Sequence, residues 1–98
     1  MINVELHELA EKELIDSRDY YDKQIAGLGK KFLLEVEHIL NRIKNKPLSF
    51  PIYFDGYRKA LLRKFPHSII YKNDGTDIFI LAVAHQKRKP KYYLNRFK

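Results

Sequence analysis

Three kinds of hydrophobic spacing follow one another along the chain. Ile2, Val4 and Leu6 alternate with Asn3, Glu5 and His7, the two-residue period of a short strand with one buried face. From about Glu8 to Ile25 the apolar positions Ala10, Leu14, Tyr21 and Ile25 keep helical spacing, and Glu8, Glu11 and Glu13 sit near the positive end of that helix. Gly27 and Gly29 interrupt the pattern, and one of them supplies a left-handed terminator. A second helix is predicted from about Lys30 to Asn45, with Phe32, Val36, Ile39, Leu40 and Ile43 as its stripe. Two helices joined by a short Gly-containing turn pack as an antiparallel hairpin, and both stripes read as core.

Pro47 to Pro51 reads as an irregular connector, because each proline disfavours helix at the residue before it. From Tyr57 the period shortens to two. Ala60 and Leu62 share one face, Lys59, Leu61 and Arg63 the other, up to Phe65 and Pro66. His67–Lys72 and Asp77–His85 follow as two strands. Asp74-Gly75 between them predicts a hairpin through a type I′ turn, which needs positive φ at both central residues. Ile78 to Ala84 is apolar on both faces, as in a central strand. Pro90 to Lys98 is a basic, aromatic tail of one or two helical turns.

The order is therefore β-α-α-β-β-β. It predicts one α+β domain over residues 1–98, a helical hairpin at residues 8–45 packed on one face of a three- to four-stranded antiparallel sheet. The opposite face then presents Lys59 and Arg63, extended by Arg88, Lys89, Lys91 and Arg96 beyond the last strand.

Charge sharpens that picture. Residues 1–56 hold 8 Lys and Arg against 10 Asp and Glu, a net of −2; residues 57–98 hold 11 against 2, a net of +9. The positive charge belongs to the strand-rich half, which suits a polyanion or an acidic protein partner. There is no cysteine, hence no disulfide and no thiolate metal site. The N-terminus shows no signal-peptide pattern, and the longest apolar run, seven residues, is too short to span a bilayer. A cytoplasmic protein without metal, cofactor or membrane partner is expected.

No Gly-rich phosphate loop, His-x-x-x-His pair or Gly-x-Ser-x-Gly elbow is present. His7, His38 and His67 are scattered. His85 ends the central strand beside Gln86-Lys87-Arg88, where it caps the strand end or, less simply, transfers protons. Glu35 and Glu37 point to different sides of a helix and read as solvent-facing. Tyr92 and Tyr93, between Lys91 and Arg96, suit either a stacking, phosphate-binding tail or a tail folded back onto the sheet.

Taken in order, Tyr20-Tyr21 with Gly27-Leu28-Gly29-Lys30-Lys31-Phe32, the stretch Arg58 to His67 with Ile69-Ile70-Tyr71, and Ile80 to His85 followed by Arg88, Pro90, Tyr93 and Arg96 resemble the RelE/ParE family of toxins. The resemblance covers nearly the whole chain. It implies the toxin of a type II toxin–antitoxin system, active in growth inhibition or plasmid stabilization, held by a cognate antitoxin and meeting operator DNA only through that antitoxin. The RelE branch cuts mRNA on the ribosome and the ParE branch poisons DNA gyrase. Metal-free RNA cleavage needs a base, cations for the phosphate and an acid. Carried over from RelE, the first sheet lysine matches Lys59 and the arginine after the last strand matches Arg88. The next cationic position is Leu61, the arginine opening the third strand is Ser68, and Tyr93 stands near the tyrosine position. A ribonuclease would therefore work with Lys59, Arg63, His85 and Arg88. The missing cations favour a ParE-like gyrase inhibitor, with Arg88, Tyr93 and Arg96 binding the target. The alternatives are a RelE-like ribosome-dependent mRNA endonuclease and a non-toxic basic nucleic-acid-binding module.

Overall fold

The computed structural model describes residues 3–96. The elements run β1 (Asn3–Leu6), α1 (Glu8–Gln24), α2 (Leu28–Asn45), β2 (Ile52–Phe54), β3 (Tyr57–Leu61), β4 (His67–Asn73) and β5 (Asp77–His85), with a 3-10 turn at Tyr92–Arg96. Ile2, Phe97 and Lys98, included in the predicted first strand and tail, lie outside the described residues.

The helical hairpin forms as the spacing predicts. Phe32, Val36, Ile39 and Ile43 are buried, against Ala60, Leu62, Ile69, Tyr71, Ile78, Ile80 and Val83 of the sheet side. Gly27 is the left-handed residue, at φ +87, and leads directly into α2. Ile25 falls beyond the end of α1 in extended backbone and is exposed.

The sheet departs from expectation. It has five strands in the order β1-β5-β4-β3-β2, and it is mixed: β1 runs parallel to β5, while the other pairs are antiparallel. The parallel pair arises because the hairpin carries the chain across one face before β2, β3 and β4 are laid down. β5, apolar on both sides, thus gains a neighbour on each edge. β2 is the other addition. Three residues after a proline are too few to show alternation, but Asp55 (φ 49) and Gly56 (φ 80) both have positive φ. The turn that needs two such residues is therefore the β2–β3 turn. At the predicted site only Gly75 is positive, so the β4–β5 connection is a hairpin of another turn type.

Arg58 donates to the carbonyls of Phe50 (2.6 Å) and Leu48 (3.3 Å), and Tyr71 Oη donates to the carbonyl of Pro47 (2.6 Å). These bonds fix the connector from which β2 starts. In β5, Ile80 pairs with Tyr71 but Ala82 with Ile70, so Leu81 is an extra residue. This bulge lets Leu81 and Ala82 both join the apolar cluster on the face away from the helices.

Candidate functional site

That second face carries the site. Ser68, Ile70 and Ala84 lie along its centre, and the small side chains of Ser68 and Ala84 leave a hollow. Around it stand Lys59, His85, Arg88 and Lys91, with Tyr53, Tyr92 and Tyr93, enclosing a cleft of about 190 Å³. Cations sit over its aromatic rings: Lys59 Nζ is 4.6 Å from the Tyr53 centroid, Arg88 Cζ 3.8 Å from that of Tyr92, and Lys91 Nζ 5.5 Å from that of Tyr53.

Of the residues assigned to a ribonuclease, Lys59, His85 and Arg88 meet at this cleft. Arg63 does not line it. β3 ends at Leu61, and Arg63 lies in the loop beyond, where its backbone N–H donates to Glu35. Glu35 also accepts from Lys64 N (3.0 Å), so it pins this loop to α2 and is not the free solvent-facing acid that its spacing suggested. His85 acts as the cap of the strand end, its Nδ1 accepting from Lys87 N at 3.0 Å.

Of the two readings of the tail, the one in which a tyrosine folds back onto the sheet is what the structure shows. Tyr93 is buried, its ring stacked at 6.0 Å on Phe54, and burial followed by its hydrogen bond with Tyr53 pushes its phenol up. Arg96, read from the sequence as part of the exposed basic surface, has a side chain only 8% exposed and pairs with Glu13 at 2.8 Å. The reason lies at the edge of β5. β1 ends at Leu6, whose partner is Ile80, so β5 continues without a strand on that side. Leu81 O accepts from Arg96 Nη1 (3.0 Å) and Val83 N donates to Glu13 Oε1 (3.0 Å). Two paired side chains thus satisfy backbone groups that a sixth strand segment would otherwise take.

Glu13 also accepts from Tyr92 Oη and from Arg96 Nη1 at 3.0 Å. Burial, then the bond to Glu13, pushes the Tyr92 phenol well above its ordinary range, so it stays protonated. The Tyr92 ring that Arg88 stacks on is therefore tied through Glu13 to α1. Sequence reasoning missed this duty of Glu13, since nothing local separates it from Glu11.

Beneath the cleft, His67 is buried against Tyr21 and Phe32, with His85 across the strand pair at 4.9 Å. Its Nε2 lies 3.3 Å from Ser17 Oγ. Burial, then His85, lowers its pKa from 6.5 to about 4, against an opposing pull from Glu13. The neutral form is thus the folded form. Stability from this residue is complete above pH ~6.5 and is lost as pH falls toward 4, a drop on the order of 3 kcal/mol. Urea melts at pH 7 and pH 4 should show the drop, and His67→Phe should remove most of this step. An unchanged step in His67→Phe would assign it to other groups.

Among the described residues, no group of three His, Cys, Asp or Glu is placed to hold a metal ion, and no helix is long and apolar enough to cross a membrane.

Comparison with known proteins agrees with this fold. Residues 4–90 match the family described as "ParE toxin of type II toxin-antitoxin system, parDE". The chain is 30% identical over 86 residues to Toxin ParE2 of Mycobacterium tuberculosis, in strains CDC 1551 and H37Rv alike, covering 87% of this chain and 82% of the relative. Among solved structures, a chain of the chromosomal ParDE TA system from P. aeruginosa superposes with a TM-score of 0.63 at 23% identity, over 87% of this chain and 96% of that one, a likeness of fold.

Proposed function

The chain belongs to the ParE toxin family of type II toxin–antitoxin systems, and from that premise we propose that it arrests growth in the cytoplasm by inhibiting DNA gyrase. Family membership brings with it a cognate antitoxin partner. The choice of target rests on one observation. Leu61 and Ser68 are cross-strand partners and both line the cleft, at the two positions that the resemblance to RelE assigns to cations. Negative charge grows on the phosphate oxygens in the transition state of RNA cleavage, so absent cations act directly on rate. Of the bases on offer, His85 already spends Nδ1 on a backbone amide. A protein inhibitor needs anchors and no such constellation, and arginine is a favoured anchor.

In this reading Lys59 and Arg88 contact the target. Tyr93 builds the cleft from within, and Arg96 holds the tail that carries Tyr92. Ribosome-dependent mRNA cleavage is the second reading, favoured by the meeting of Lys59, His85 and Arg88.

The cognate antitoxin is read as an acidic segment that folds on contact with the basic sheet and hairpin groove, adding a strand at a sheet edge or laying a helix against the hairpin. Operator DNA is then reached only through the antitoxin. Arg88 is exposed, so Arg88→Ala should relieve growth arrest while costing under about 1 kcal/mol of stability. Induction in cells, with thermal melting of the purified variant, checks this. Full arrest by the folded variant would remove Arg88 from the working surface.

A further inference from the structure

At the open edge of the sheet, next to the cleft, lies an apolar groove of about 290 Å³ walled by Phe50, Pro51, Ile52, Tyr53 and Leu61, with Lys59 as its charged member. Ile52 is 63% exposed and Leu61 64% exposed. Neither side chain serves the core, whose two apolar clusters do not include them. Tyr53, Lys59 and Leu61 line both hollows, so groove and cleft form one continuous surface. Among the described residues no carboxylate lines either, and the half of the chain that supplies most of the cleft carries a net +9.

An apolar slot beside a row of cations is complementary to one kind of ligand. A nucleic-acid backbone would match the cations and leave Ile52 and Leu61 facing water. An acidic protein segment with a large apolar side chain matches both. We propose that this groove receives such a side chain from an acidic segment of the target protein, with flanking carboxylates reaching Lys59 and Arg88. Leu61, which is a deficiency in a nuclease, is here the apolar contact. The proposal rests on the reading of the target as a protein.

Two probes separate the proposal from that reading. The first is a pair of capped pentapeptides, Glu-Asp-Phe-Asp-Glu and the same peptide with a central alanine, titrated into the isotopically labelled full chain by NMR. The two carry equal charge. The Phe peptide should bind at least about tenfold tighter, shifting the amides of Ile52 and Leu61, and Leu61→Lys should abolish the difference. Equal affinities would overturn the groove and leave plain electrostatic attraction. The second probe is purified gyrase. Wild type should bind it, and Leu61→Lys and Ile52→Lys should each weaken binding at least about tenfold while binding a 30-base-pair duplex no more weakly. Gyrase binding unchanged in both variants, or tightened together with duplex binding, would overturn the proposal. So would protection of the Ile52 and Leu61 amides by the antitoxin and not by gyrase. A wild type that discriminates the peptides but ignores gyrase would refute gyrase as the target and leave the groove standing. Both side chains are exposed, so thermal melting of the variants should match wild type and exclude misfolding as the cause.

Discussion

Replacing Glu13 with alanine should destabilise the protein by about 3–5 kcal/mol, the usual cost of removing one partner of a buried ion pair. The side chains of Arg96 and Glu13 are 8% and 14% exposed. The substitution strands the Arg96 guanidinium, the Tyr92 hydroxyl and the Val83 amide together. For a domain of this size such a loss lowers Tm by roughly 15 °C or more. The double replacement Glu13→Gln with Arg96→Met removes both charges and should cost far less than the single change. Differential scanning calorimetry of the wild type and the two variants checks this. A single Glu13→Ala variant that melts like wild type would mean that the β5 edge and the tail do not depend on this carboxylate.

Gly29→Ala should also be strongly destabilising, although alanine is the better helix former by about 1 kcal/mol. Gly29 is buried in the first turn of α2, close against α1. A Cβ there would stand 2.4 Å from the carbonyl oxygen of Arg18 and 2.8 Å from the Asp22 carboxylate. One of these is backbone, so the helices must part. Parting strains the bond from Gly29 N to Asp22 Oδ1, now 2.8 Å. Overpacking of this kind costs about 1–3 kcal/mol, occasionally more, and here it outweighs the propensity gain. A net loss on the order of 2 kcal/mol is expected, measured by urea denaturation. Gly27→Ala is the control: open space surrounds it, and its loss should come from positive φ alone. A more stable Gly29→Ala variant would contradict the close helix contact.

These two residues show what was legible in the sequence. The helical hairpin was, because a period near 3.6 survives over Phe32, Val36, Ile39 and Ile43, and four buried positions on one face admit no other element. The glycine break between the helices was legible too, though not which of Gly27 and Gly29 is left-handed. The strands β3, β4 and β5 could be read from alternation and from the proline and glycine between them. β2 could not, since Ile52-Tyr53-Phe54 is shorter than the period needs. The parallel pairing of β1 is a property of chain route and leaves no local mark. At the site, Lys59, His85 and Arg88 were found because cationic and imidazole groups near strand ends carry a chemical signal. Glu13 and Arg96 were misjudged for one reason. A surface charge and half of a buried pair look alike until a contact 83 residues away is known. Leu61 was noticed only as a missing cation; its exposure and its place in a groove needed the sheet edge to be drawn.

The measurement that bears most directly on the account sets purified wild-type protein against two targets in parallel, with the antitoxin complex as a control. Supercoiling of relaxed plasmid by gyrase should fall, with cleaved DNA accumulating, and the antitoxin should restore activity. In a translating extract, mRNA should stay intact at the same protein concentration. Codon-positioned cuts in mRNA with gyrase unaffected would contradict the account, and would return Lys59, His85 and Arg88 to the chemistry of RNA cleavage.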